Sequence, residues 1–203
     1  MAGKRKVNAA MNEILMKAIT GMSSAEAEVR VLAATEIYRT GRALADHAVY
    51  PWKADAELAE LLGGASGQVN VGLAVTPEHF AAIREANGSP RLAEVPPDQD
   101  AMEFELHLPG GLSVDVLTSC SPEGDGAIAK YLRKTGEGVQ QVEYRCANVE
   151  RATEILREKF GVKAVYAAAQ SGADGTRVNF FLVEAPGAGK VLIELYEEAA
   201  RME

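Results

Sequence analysis

The chain has 203 residues, enough for one ordinary domain with a small appendage or for two small domains. Hydrophobic residues at 47% and charged residues at 25% exclude a disordered chain, and a net charge of −8 excludes the basic face that nucleic-acid binding requires. Two cysteines, Cys120 and Cys146, exclude a disulfide scaffold and point to a reducing compartment, while His47, His79 and His107 are the only histidines.

Lys4, Arg5 and Lys6 give the start a basic character, read as a solvated end. Glu13 and Lys17 break the apolar run that a signal peptide would need, and no stretch approaches the roughly 18 apolar residues of a membrane span, so a cytoplasmic protein without a membrane partner is expected. Met11, Ile14, Leu15, Ala18, Ile19 and Met22 then recur on one helical face, ending near Gly21. Ser23 and Glu26 have the spacing of a capping box and predict a second helix carrying Val29, Leu32, Ala33 and Ile37. Pro51 interrupts, with Trp52 as an anchor, and a short helix from about Asp55 carries Leu58, Leu61 and Leu62 to the Gly63–Gly64 stop. Gly63–Gly67 reads as a linker, dividing the chain into a helical region, 1–67, and a second region, 68–203.

Beyond Gly67 the period changes to two. Val69, Val71, Leu73 and Val75 mark a strand, Pro77 to about Asn87 a helix, and Met102–Leu108 with Leu112–Leu117 a hairpin around Pro109–Gly111. Asp125–Lys134 reads as a connecting helix. The grammar repeats: strand Val139–Cys146, helix Val149–Phe160, strands Val162–Ala169, Thr176–Val183 and Lys190–Glu197, with a turn at Pro186–Gly189. Asn70-Val71 lies over Gln141-Val142, and Asp115 over Glu194. The fold class is therefore α+β: duplicated βαβββ units, 68–120 and 136–198, form a curved mixed sheet around a cleft, preceded by helices.

The segments Val69–Val75, Ile128–Leu132, Gly136–Val142, Thr176–Phe180 and Val191–Leu195 together resemble the vicinal-oxygen-chelate superfamily of glyoxalase-like proteins, most closely its methylmalonyl-CoA epimerases. The resemblance covers the last two-thirds of the chain. It implies a divalent-metal site fed by a histidine from the first strand of each unit and a carboxylate or amide from the last. Those four positions hold Asn70, Asp115, Gln141 and Glu194, so amides stand at both histidine places. Imidazole suits Co, Ni and Zn, whereas this all-oxygen set suits Mg, Mn or Ca, held weakly, or no metal at all.

The resembled reaction removes a proton next to a carbonyl and needs a base within reach. Glu103 and Glu105 lie on one strand face with His107, and Glu194 is the second candidate carboxylate. Asn70, Gln141 or Arg145 would then hold the oxyanion. Glu103, Glu105 and His107 equally suit a solvated strand face, and their spacing of about 7 Å lets at most two meet one ion. The same alternation assigns Ser113, Glu143, Arg177, Asn179 and Tyr196 to the cleft.

Gly187-Ala188-Gly189-Lys190 is no phosphate loop, because Glu184 and Val191 stand where glycine and Ser or Thr are needed. Both cysteines read as packed or idle thiols, and His47 and His79 as ordinary surface or packing residues. Two function classes follow. One is a protein that binds a small carbonyl or acyl-thioester-type ligand without catalysis; the other is an active isomerase, epimerase or lyase of glyoxalase type. A homodimer is expected as a cover for the apolar helix faces.

Overall fold

The computed structural model describes residues 13–64, 67–185 and 189–199. Met11, Lys4–Lys6, the middle of the expected linker and most of the turn before Gly189 lie outside the described residues. Six helices are labelled in chain order: α1 (13–21), α2 (Ala27–Val49), α3 (Ala56–Leu61), α4 (Pro77–Ala86), α5 (Ala127–Thr135) and α6 (Val149–Phe160). Seven strands, β1 (Val69–Ala74), β2 (Ala101–Leu108), β3 (Leu112–Ser119), β4 (Gly138–Arg145), β5 (Gln170–Ser171), β6 (Arg177–Ala185) and β7 (Gly189–Glu197), form one mixed sheet in the order β2-β3-β1-β4-β7-β6-β5.

Each unit places its first strand parallel to its last, β1 with β3 and β4 with β7, and the units join where β1 and β4 run antiparallel. The sheet curls into a half-barrel with helices against its outer face. Strand periodicity explains the two faces. Val71, Val114, Val116, Val142, Phe181 and Ile193 point outward into the main core. Asn70, Asp115, Gln141 and Glu194 alternate with them and point inward.

The outer face is covered by α2, α4 and α6. Phe80 of α4 packs edge-on against Phe104 of β2, with ring centroids 4.9 Å apart. From α6 come Val149, Ala152, Ile155 and Leu156, all buried. The 23-residue α2 lies across the sheet through Ala33, Ile37, Gly41, Ala45 and Val49, a stripe that recurs every fourth residue. A methyl group on Gly41 would sit 2.4 Å from Val71 Cγ1, so the absent side chain sets how closely helix and sheet approach. Trp52 is buried and meets Phe181 edge-on at 6.2 Å, anchoring the helical region as expected.

Three local expectations change. Ser23 and Glu26 form no capping box: Ser23 Oγ donates to Thr20 O, 3.0 Å away, closing α1, while Ser24 Oγ accepts from Glu26 N at 3.2 Å. Leu32 of α2 is 70% exposed, because the tight approach at Gly41 selects the small-residue stripe beside it, and Ile14 of α1 is 52% exposed. Segment 162–169 is not a strand; it touches β6 through one bridge, Ala164 to Phe181, and regular pairing begins only at β5. By contrast α3 starts beside Asp55 as expected, and Asp55 caps it, its Oδ1 accepting from Leu58 N at 3.0 Å.

Candidate ligand-binding cleft

Inside the curl lies a cavity of about 1010 Å³, large enough for a small organic molecule. Helix α5 closes part of it, with Ile128 packed on Ala74 and Leu117 of the inner sheet face. Loop 90–99, before β2, and loop 172–176, after β5, meet across the rim. Arg91 forks onto Asp174 at 3.1 and 2.6 Å, and Glu94 and Asp174 exchange two backbone-linked hydrogen bonds. Gln99 Nε2 donates to Ser171 O at 2.8 Å. The outermost strands of the two units are thereby clasped together.

On the floor, the strands bring Asn70, Asp115, Gln141 and Glu194 together with Glu143. Gln141 Nε2 donates to Glu194 Oε2 at 2.6 Å and to Glu143 Oε1 at 3.0 Å. Asn70 Nδ2 donates to Asp115 Oδ2 at 3.3 Å. Burial, and then the neighbouring Glu143 charge, push Asp115 and Glu194 well above the ordinary carboxylate range. Burial likewise raises Glu143.

Glu103 and Glu105 both face the cavity from β2. Burial first, then the charge on Glu143, pushes Glu103 up to about 7. His107 stays at the exposed rim, 3.5 Å from Glu105 Oε2 and 3.3 Å from Ser113 Oγ. Three cleft oxygens, Asn70 Oδ1, Glu105 Oε1 and Gln140 Oε1, are buried without a hydrogen-bond partner.

Three assigned positions are corrected. Arg177 and Asn179 belong to the outer face, because β6 pairs Asn179 with Leu195 and Phe180 with Glu194. Arg177 is paired with Glu150 of α6, and the buried Asn179 accepts from Phe180 N at 2.9 Å and holds segment 162–169 through Tyr166. Val178 and Phe180 line the cavity instead. Arg145 lies away from the cleft, 2.8 Å from Glu198 Oε2. Cys146 is a buried thiol pushed up to about 11 by burial, and Cys120 is exposed. His47 is exposed, and His79 Nδ1 is 2.8 Å from Glu137 Oε1.

Sequence alternation placed Glu143 in the cleft without a chemical role and singled out nothing at Gly72. Laying unit over unit puts Gly72 on Glu143, since each follows the aligned pair Asn70 and Gln141 by two residues. A methyl group on Gly72 would lie 2.6 Å from Gln141 Cγ and 3.1 Å from Glu143 Oε1. The small residue in one unit thus makes room for the large one in the other, a signal available in the duplicated pattern.

Duplicated units, paired through their first strands and curled around a cleft, define a glyoxalase-type half-barrel. The chain is similar to the crystal structure of methylmalonyl-CoA epimerase from Mycobacterium tuberculosis, 32% identical with a TM-score of 0.54, covering 68% of this chain and 93% of that one. A hypothetical protein from Bacillus halodurans matches at 25% identity and a TM-score of 0.55, over 68% of this chain and 99% of that one. A Streptomyces coelicolor methylmalonyl-CoA epimerase variant in complex with 2-nitronate-propionyl-CoA matches at 25% identity and a TM-score of 0.51, over 64% and 96%. No protein-family model and no curated protein matches the chain. The chain belongs to the vicinal-oxygen-chelate superfamily, in the family of the methylmalonyl-CoA epimerases. Among the described residues no helix is long and apolar enough to cross a membrane.

Proposed function

We propose that this chain is a glyoxalase-type protein that binds a small carbonyl or acyl-thioester-type ligand in its cleft without catalysis. The observation that carries this reading is the direction of the two amides. Asn70 and Gln141, at the positions where the family resemblance calls for histidine, donate N–H to Asp115, Glu194 and Glu143. Four residues that would have to turn lone pairs toward one ion are instead hydrogen-bonded to one another. Among the described residues, no three His, Cys, Asp or Glu side chains converge with metal-holding geometry. The donor set does not fit a transition-metal ion, and no reaction step is derived through one. A hard cation such as Mg, Mn or Ca would need both amides turned over.

A second reading, an active epimerase or lyase, is favoured by Glu103. A general base works best with a pKa near the operating pH, and Glu103 lines the cavity at about 7. In that reading Glu103 takes the proton beside the carbonyl, Glu105 and Glu194 are the neighbouring carboxyls, and Gln141 or Asn70 holds the oxyanion.

One experiment separates the two. The chain is incubated in D₂O with S-propionyl-N-acetylcysteamine and with propionyl-CoA, following both cleft resonances and the ligand α-protons by NMR. Binding shifts without deuterium entering the α-carbon are expected. Deuterium uptake that Glu103→Gln abolishes would overturn non-catalytic binding in favour of the second reading. Stoichiometric Co, Ni or Zn in protein purified without chelator would overturn the metal-free site.

A further inference from the structure

The unpartnered oxygens of the cleft are all acceptors. Asn70 is only 7% exposed and lines the cavity, yet its Oδ1 has no donor, and the same holds for the buried Glu105 Oε1 and Gln140 Oε1. Leaving such atoms dry and unpaired is costly, so their natural complement is a ligand that donates. Charge points the same way. Glu103, Glu105, Asp115, Glu143 and Glu194 line the cavity; burial holds Glu103, Asp115, Glu143 and Glu194 toward the neutral acid, and a bound cation is what would draw them into the ionised form. Among the described residues the cavity's only guanidinium or ammonium group is Arg91, at the rim and already forked onto Asp174. An anion entering this cavity meets acceptors with no cation to hold it.

A metal ion and an organic cation are told apart by how the acceptors are arranged. Gln141 Nε2 stands between Glu194 and Glu143, 2.6 and 3.0 Å from their oxygens, so an N–H group already fills the gap between those carboxyls. The free acceptors belong to three different strands, β1, β2 and β4. An ammonium or guanidinium group has several N–H bonds, each able to reach a different oxygen.

We propose that the cleft binds an organic cation: a molecule whose protonated amino or guanidino group donates to Asn70 Oδ1, Glu105 and Gln140 while its carbonyl-bearing body fills the rest of the cavity. This rests on the cleft being the small-ligand site argued above, and adds a cationic group to its carbonyl-bearing ligand.

The test is an NMR titration of the full chain with four probes: n-butylammonium chloride, the isosteric 1-butanol, S-propionyl-N-acetylcysteamine and magnesium chloride. Butylammonium is expected to bind at least tenfold more tightly than butanol and to shift the Asn70 side-chain amide. Asn70→Ala should weaken it about tenfold. Glu105→Gln, at a less buried position and of unchanged shape, should weaken it at least threefold and serves if the Asn70 variant does not fold. Butanol binding as tightly as butylammonium, or magnesium binding where butylammonium does not, overturns the proposal. If the thioester shifts the cleft and butylammonium does not, the cation proposal fails and the carbonyl-binding reading stands. If neither shifts it, both fail.

Discussion

Gly72 and Glu143 occupy equivalent places in the two units, and where β1 meets β4 there is room for only one side chain of any size. That asymmetry puts a carboxyl at the centre of the floor, against Asp115 and Gln141. Its charge in turn is one cause of the raised pKa of Glu103. The consequence is a pH dependence of known sign. Glu103 titrates near 7 when folded and near its ordinary 4.5 when unfolded, so between these values the folded state holds more protons. Its contribution to stability is therefore full below about pH 4.5, falls as pH rises, and levels off above 7. At ~1.4 kcal/mol per pH unit the fall amounts to roughly 3 kcal/mol, with Asp115 and Glu194 acting in the same direction. Urea denaturation across this range should show stability declining with pH, and Glu103→Gln should flatten the decline. An unchanged slope in the variant would assign the effect to the other carboxyls.

Among the elements, α2 shows how local preference yields to packing. Glycine inside a helix costs about 1 kcal/mol relative to alanine, so Gly41→Ala should stabilise an isolated helix. Here the added methyl would meet Val71 Cγ1 at 2.4 Å and Val139 Cγ1 at 3.3 Å. Overpacking of this kind typically costs about 1–3 kcal/mol, so against that gain Gly41→Ala should destabilise the protein by up to about 2 kcal/mol net. Pairing it with Val71→Ala frees the space, and a double-mutant cycle by chemical denaturation should show positive coupling between the sites. Additive effects would mean that α2 is free to move away from β1. The helix start follows the same lesson. Ser23 and Glu26 have the right spacing, but the sharp connection from α1 uses Ser23 to close the first helix, and Arg30 donates to Ser24 O at 2.8 Å instead.

At the level of the whole molecule, the curl brings the two ends of a seven-stranded sheet within hydrogen-bonding reach. Strands β2 and β5 are its edges, yet the loops beside them share the Arg91–Asp174 fork and the paired backbone of Glu94 and Asp174. Asp174 adopts φ +51°, a left-handed conformation that its contacts with Arg91 and Glu94 hold in place. Exposed ion pairs contribute little to global stability. Asp174→Ala should therefore leave the melting temperature nearly unchanged while amide exchange in 91–99 and 170–176 accelerates severalfold. Uniform acceleration across the sheet would show that the clasp supports the whole fold. Unchanged exchange would show that it closes nothing.

Much of this architecture is legible in the amino-acid order. Alternation of period two assigned Val71, Val142 and Ile193 to one sheet face and Asn70, Gln141 and Glu194 to the other, because side-chain direction in a strand is a local property. The duplication was legible for the same reason: two stretches with the same period and the same break points fold alike. Segment 162–169 and the side of Arg177 and Asn179 were not legible, since a short apolar run does not reveal whether it pairs, and one residue of register moves a whole strand to the opposite face. Nor could periodicity say which sheet face the helices would take. Only the tertiary structure decided that α2 covers the outer face and leaves the acidic inner face open as a cleft. The close approach of Gly41 to Val71 and the bridging of Glu143 and Glu194 by Gln141 depend on residues far apart in the chain, whose distance no local pattern encodes.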